Sequence, residues 1–133
     1  MIDHTGINVS DFAVSKAFYE KVLATLGYTL RLDLGDAAGF GDGAGTDPGG
    51  DFWISAGTPF TPRSHIAFHA VSTAAVQAFH AAALAAGGRD NGAPGPRPQY
   101  HAGYYAAFVR DPDGYNIEAV FHDRPGTQPA QAS

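Results

Sequence analysis

The sequence predicts an α+β chain built from two copies of a β-α-β-β-β unit. Three observations carry this reading: a self-match at a fixed offset, a helical apolar stripe in each half, and short strand-like runs set off by glycine and proline. Sliding the chain by 61 residues without gaps lays residues 4–27 over 65–88. The identities are His4/His65, Ala13/Ala74, Ala17/Ala78, Phe18/Phe79, Leu23/Leu84, Ala24/Ala85 and Gly27/Gly88. Chance in so alanine-rich a chain would yield roughly two, and self-similarity at a fixed period is a fold-level signal. Module one is expected over residues 1–57 and module two over 62–123, within one domain spanning 1–123.

The elements follow in order. Ile2–Val9 reads as a strand through its β-branched residues. Asp11 is placed to cap a helix, because its carboxylate accepts from the unpaired N–H groups of the first turn. Val14, Phe18, Val22 and Leu26 recur every four residues and, with Ala17, form one apolar stripe. Gly27 then suits the left-handed stop. Tyr28–Leu34, Ala38–Gly41 and Asp51–Ala56 are the next strands. The glycine-rich stretch between the last two, residues 41–50, is expected to be a flexible loop. In the second half, Ser64–Val71 is a strand and Thr73–Ala86 a helix capped by Ser72 and ended at Gly87-Gly88. Asn91–Pro98 is rich in proline and glycine and reads as a loop. Strands Tyr104–Arg110 and Tyr115–Phe121 flank the turn Asp111-Pro112-Asp113-Gly114, whose residues favour a tight reversal. Residues 124–133 are expected to form a frayed tail.

Composition excludes several functions. The chain has 133 residues, enough for one domain with a core of its own. Lysine and arginine number 8 against 13 aspartates and glutamates, a net charge of −5. That balance argues against nucleic acid or an anionic membrane as partner, since both need clustered basic residues. Cysteine is absent, so disulfides, thiolate metal sites and a cysteine nucleophile are excluded. No signal peptide or membrane-spanning run is visible, and a cytoplasmic protein is expected. Only 16% of residues are charged, yet there are six histidines, and chemistry is sought there first.

Three stretches carry a family likeness: Asp3-His4-Thr5-Gly6-Ile7-Asn8-Val9-Ser10-Asp11 with Phe18-Tyr19, then Ser64-His65-Ile66-Ala67-Phe68, and Phe108 through Glu118 with its DPDG turn. Together they resemble the vicinal oxygen chelate superfamily, which includes glyoxalase I, extradiol dioxygenases and bleomycin-resistance proteins. The resemblance implies a cupped, partly open mixed β-barrel of paired βαβββ modules around a divalent metal. It implies ligands on the first and last strands of each module, here His4, His65 and Glu118, with Trp53 at the fourth position. Two imidazoles and a carboxylate suit Fe, Mn, Ni or Zn and leave positions for a substrate with vicinal oxygens. The resemblance also implies a homodimer, in some members with each site built from modules of two chains.

Two departures separate the chain from the named chemistries. Glyoxalase I has an acidic ligand and base where Trp53 stands, and extradiol dioxygenases have a catalytic tyrosine ten residues before the glutamate, where this chain has Phe108. Trp53 and Phe108 are expected to wall the substrate pocket. His69, four residues after His65 on one strand, faces the same side; His69, His101 and Tyr100 are the candidate catalytic groups, with hydrogen-bonded pocket histidines and surface tyrosines as the plainer account. Residues 39–45 lack the helix, lysine and hydroxyl of a phosphate loop and are expected to rim the pocket. His80 is expected on a solvated helix face and His122 exposed. The functional alternative to an enzyme is a metal-free protein that sequesters an aromatic or antibiotic-like ligand.

Overall fold

The computed structural model describes residues 1–44 and 48–124. Ten elements follow in the order β1 (Thr5–Val9), α1 (Phe12–Ala24), β2 (Thr29–Asp33), β3 (Ala37–Gly41), β4 (Phe52–Ala56), β5 (His65–His69), α2 (Thr73–Ala85), β6 (Arg89–Pro96), β7 (Tyr104–Arg110) and β8 (Asn116–His122). The βαβββ plan therefore occurs twice. One sheet has the order β1-β4-β3-β2 and the other β5-β8-β7-β6. Neither closes on itself. In each module the first and last strands run parallel and the rest antiparallel.

The internal repeat extends to strand register. Gly6 pairs with Trp53 in the first sheet and Ala67 with Glu118 in the second. The offset of 61 equates Gly6 with Ala67, so Trp53 and Glu118 occupy equivalent places.

Both helices begin as their cap residues dictate. The Asp11 carboxylate accepts from Val14 N–H, and the Ser72 hydroxyl from Ala75 N–H. Gly27 and Gly87 take the positive φ that ends each helix. The buried face of α1 is Ser15, Phe18, Tyr19, Val22 and Leu23, whereas Val14 is 50% exposed and Ala17 is exposed. The four-residue stripe thus drifts off the core, because 3.6 residues per turn shifts the buried line by one position every few turns. Phe18, Tyr19, Val22 and Leu23 join Val76, Phe79 and Ala83 of α2 and the inner residues of both sheets in one apolar cluster. Every second strand residue enters it: Ile7 and Val9, Phe52 and Ile54, Ile117, Ala119 and Phe121. The opposite face of each sheet is turned away from this core.

One expected loop is a strand. Residues 91–96 belong to β6, an edge strand whose pairing with β7 shifts at Asp90/Gly92 and again at Gly92/Gly95. Pro94 and Pro96 forfeit N–H groups that an edge can spare, and the glycines accommodate the bulges. Residues 45–47 of the expected glycine-rich loop, and 125–133 of the expected tail, lie outside the described residues. Among the described residues no helix is long and apolar enough to cross a membrane.

Candidate metal centre

His65 opens β5 and Glu118 lies mid-way along β8, on the faces turned away from the core. Strand alternation puts Ile66 and Phe68 inward, so His65, Ala67 and His69 face outward. The same rule sends Ile117 and Ala119 inward and Glu118 and His122 outward. Across the parallel pair, His65 Nε2 comes within 3.1 Å of Glu118 Oε1. Glu118 is 3% exposed, the most deeply placed carboxylate on this face, while the His65 side chain is 47% exposed.

The hydrogen bonds assign the protons. His65 Nδ1–H donates to the Asn116 carbonyl at 2.9 Å, which directs Nε2 at Glu118. Tyr104 O–H donates to Glu118 Oε2 at 2.5 Å. One carboxylate oxygen is therefore held by a hydroxyl while the other faces imidazole Nε2. Two electron pairs 3.1 Å apart repel unless a cation, a proton or a metal ion, is shared between them. Burial, then the bond to Glu118, pushes the Tyr104 hydroxyl well above its ordinary pKa, so it stays a donor. Phe108 stacks on the His65 ring with centroids 6.2 Å apart, and the Arg97 guanidinium covers Phe108 from 5.5 Å.

His4 lies just before β1, two residues from Gly6 in the other sheet. Its Nδ1–H donates to Asp3 Oδ1 at 2.7 Å, again directing the ring's lone pair to Nε2. Both repeat-related histidines thus have Nδ1 committed, the arrangement that orients a metal-ligating imidazole. They belong to different sheets. Among the described residues no three histidine, aspartate or glutamate side chains converge as a metal-holding group, so one chain brings His65 to Glu118 without gathering His4, His65 and Glu118 together.

Trp53 lies flat against the glycines beside it, its Nε1–H donating to the Gly50 carbonyl at 3.2 Å. A Cβ on Gly39 would fall 2.6 Å from the indole and 2.0 Å from the Gly49 carbonyl oxygen. Gly39→Ala is accordingly expected to dislodge the indole, read as a shift in the emission of the single tryptophan.

The remaining histidines divide differently from expectation. His80 is no solvated bystander: its side chain is 13% exposed and its Nε2–H donates to Asp90 Oδ1 at 2.9 Å, tying α2 to β6. Helix periodicity could not reveal that partner, because β6 itself read as a loop. His122 is half-buried and belongs to a column of imidazoles. His101 Nδ1–H donates to the Ala102 carbonyl at 2.7 Å, and His101 Nε2 meets His122 Nδ1 at 3.0 Å. His101 and His69 both stack on His122, with centroids at 5.1 and 6.5 Å, and Tyr104 meets His101 and His122 edge-on. Tyr100 is 60% exposed and packs on Tyr104. Tyr104 stands beside Tyr100 and His101 in the sequence, but its bond to Glu118 was not foreseen: four residues from Phe108 on β7, it shares that residue's face, and a strand period would have found it.

Burial, then His101, Arg124 and His69, pull the His122 pKa below its ordinary value. A histidine depressed in the folded state binds its proton more readily when unfolded. Its contribution to stability is therefore present above about pH 6.5 and lost as the pH falls through the folded value. Thermal unfolding on acidification is expected to show this loss, and His122→Phe to reduce it.

The sequence profile of the Glyoxalase/Bleomycin resistance protein/Dioxygenase superfamily matches residues 1–119. The chain belongs to this superfamily. A solved relative, a glyoxalase/bleomycin resistance protein from Albidiferax ferrireducens T118, is 32% identical over 92% of this chain and 98% of its own, with a TM-score of 0.73. The fold is shared with a lactoylglutathione lyase from Agrobacterium tumefaciens, at 20% identity, 95% and 96% coverage and TM-score 0.64. It is also shared with a glyoxalase I mutant from Zea mays, at 21% identity and TM-score 0.59, over 90% of this chain and 46% of that longer one. No curated protein matches the chain. Superfamily membership accounts for the paired modules and the open sheets; it does not select a reaction, because one scaffold hosts several.

Proposed function

We propose that this superfamily member is an enzyme that binds a small molecule through vicinal oxygens on a divalent metal. Its ligands are His65 and Glu118 of one chain and His4 of a second copy in a homodimer. The observation that carries the reading is His65 Nε2 facing Glu118 Oε1 across 3.1 Å while Nδ1–H is held by the Asn116 carbonyl. The donor set fits Fe, Mn, Ni or Zn: neutral imidazole nitrogen and carboxylate oxygen are ligands for all four. When bound, the metal supplies Lewis-acid polarisation of substrate oxygens.

The chain's own groups do the rest. The Asn116 carbonyl and the Phe108 ring hold the His65 imidazole in plane and tautomer. Tyr104 holds Glu118 Oε2, so that Oε1 is the oxygen presented. Trp53 and Phe108 give the pocket apolar walls, which suits a partly hydrophobic substrate. With Trp53 in the place equivalent to Glu118, no second carboxylate serves as proton acceptor there, and His69, His101 and Tyr100 are the proposed proton-transfer groups. A metal-free sequestering protein of the bleomycin-resistance kind is the second reading, favoured by that same Trp53, which removes a ligand and adds an aromatic wall.

Metal analysis of protein reconstituted with each ion decides between them. Stoichiometric uptake supports the enzyme; no uptake of Fe, Mn, Ni or Zn overturns it. Mixing separately purified His4→Ala and Glu118→Ala chains then tests the assembly. A site shared between copies regains about a quarter of the full metal content, because random exchange makes half of the dimers mixed and one of the two sites in each of those is intact. A site within one chain regains none.

A further inference from the structure

We infer that the cavity between the first sheet and β5 is a binding site for a small organic cation, a protonated amine carried on a one- or two-ring apolar body.

The cavity exists because the two repeats do not close alike. Thr5, Ile7 and Val9 share the inward side of β1, and the offset of 61 equates Thr5 and Ile7 with Ile66 and Phe68 on β5. Ile7 is fully buried, yet Phe68 and Ile66 are only half-buried and Thr5 is exposed. What these side chains face is a cavity of about 270 Å³. Its walls are Leu23 of α1, Tyr28, Phe40 of β3, Phe52 of β4, and Ile66 and Phe68 of β5. Four of these are aromatic and touch in series, with centroids 6.4 Å apart for Phe40 and Phe52, 5.1 Å for Phe52 and Phe68, and 6.0 Å for Phe68 and Tyr28. A concave apolar space with a few polar groups at its edge is the form of a small-molecule site, and drug-sized ones hold roughly 300–1,000 Å³. This one falls just below that range, which sets the ligand at one or two rings. Ile66 and Phe68 point the opposite way from His65, and neither His65 nor Glu118 lines the cavity. The inference therefore goes beyond the metal reading and does not depend on it.

Charge selects the ligand. Among the described residues no lysine or arginine lines the cavity; its carboxylates are Asp51, just before β4, and Asp3, just before β1. Asp3 is shared with His4. The Asp51 carboxylate has no ion-pair or hydrogen-bond partner among the described residues. Burial, then Asp42 and Asp51, push the Tyr28 hydroxyl above its ordinary pKa, so the wall group nearest these acids stays a neutral donor, to the His69 carbonyl at 2.9 Å. His69 is the remaining titratable residue at the edge. The ring faces act in the same sense as the carboxylates, because an aromatic quadrupole attracts an ammonium within about 6 Å of the centroid. An anion would meet two carboxylates and a wall of negative ring faces, and a neutral ligand would leave Asp51 unpaired. An ammonium on an aromatic body satisfies both the walls and the mouth.

The test uses the full chain without added metal and three probes that share a phenyl body: 2-phenylethylammonium, 2-phenylethanol and phenylacetate. Methyl resonances are followed by NMR at constant ionic strength. The expected result is a saturable shift of the Ile2, Leu23 and Ile66 methyls with the ammonium, while Val76 of α2 and Val109 of β7 stay unmoved. The ammonium is expected to bind about tenfold tighter than the alcohol, and phenylacetate not to bind. Asp51→Asn, at an exposed position, is expected to weaken the ammonium about fivefold, the worth of one partly exposed ion pair, and to leave the alcohol unchanged. Thr5→Phe places a ring on the inward side of β1 at the mouth and is expected to abolish binding of both. Equal affinity for the three probes, shifts that fail to saturate, or an ammonium affinity unchanged by Asp51→Asn overturns the inference. Binding that survives Thr5→Phe in a folded chain overturns it too.

Discussion

Glu118→Gln is expected to lower divalent-metal affinity by at least about a hundredfold while leaving the metal-free protein as stable as before. Metal ligation needs the carboxylate's charge and its bare Oε1, and an amide is a poor ligand for these ions. The fold asks for something else at that position. The amide oxygen accepts from Tyr104 O–H as Oε2 does, at 2.5 Å. The amide NH2 can donate across the 3.1 Å gap to His65 Nε2. One hydrogen bond replaces the proton that the metal-free wild type shares across the same gap, so stability is expected to change by no more than about 1 kcal/mol. A large loss of affinity with little change in stability is the signature of a residue kept for function. Equal metal binding by wild type and variant would remove Glu118 from the site.

Tyr104→Phe separates positioning from packing at the same carboxylate. The ring contacts with Tyr100, His101 and His122 survive the change, and only the hydroxyl is lost. Metal affinity is expected to fall about ten- to a hundredfold, the usual effect of removing a group that orients a ligand. A Co(II)-loaded sample is expected to show an altered absorption spectrum as Glu118 Oε2 is released. An unchanged affinity and spectrum would confine Tyr104 to packing.

Much of this arrangement was legible in the residues, and the failures share a physical cause. The repeat equated His4 with His65, and the family resemblance set Trp53 in the place equivalent to Glu118, which strand register bears out because it follows from local strand order. The repeat could not show that His4 and His65 stay on separate sheets of one chain. That depends on how two modules pack, and the packing is set by core contacts such as Phe52 on Phe68, which no spacing encodes. Val14 read as buried and is half exposed, since a strict four-residue stripe outruns the helix. His80 and His122 read as bystanders because each partner, Asp90 or His101, is far enough in sequence that only the folded edge of the second sheet brings it close. The loop reading of 91–98 failed for the reason that proline and glycine mark turns in most contexts but are tolerated at a bulged edge.

The largest loss of stability is expected from Asp111→Ala, about 3 kcal/mol or more, although Asp111 is a turn residue far from the proposed metal ligands in role. Its carboxylate is 2% exposed. It accepts from the Tyr19 hydroxyl on α1 and from the backbone N–H groups of Asp113 and Tyr115, both at 2.9 Å. Truncation leaves the fully buried Tyr19 hydroxyl and the turn amides without an acceptor, and each buried orphan costs about 1–3 kcal/mol. The turn is also fastened to the end of β1, where Tyr115 O–H donates to the Asn8 carbonyl at 2.6 Å and Ser10 O–H to Asp113 at 2.5 Å. Module two is thus clamped onto module one next to the strand that carries Glu118. Asp111→Asn keeps its oxygen for the two turn amides and turns its NH2 to the Tyr19 hydroxyl, which accepts from it, so it is expected to cost much less. It also isolates the pH dependence. Burial pushes the Asp111 carboxyl up, against the pull of its three hydrogen bonds. A carboxyl raised in the folded state contributes stability that is complete below its unfolded value of about 3.8 and lost as the pH rises through the folded one. The wild type is therefore expected to gain on Asp111→Asn as the pH falls from neutral toward 3.8. Denaturant unfolding of both proteins over that range measures the gain. A difference that stays flat, together with a small cost for Asp111→Ala, would mean that the apolar cluster alone holds the modules together.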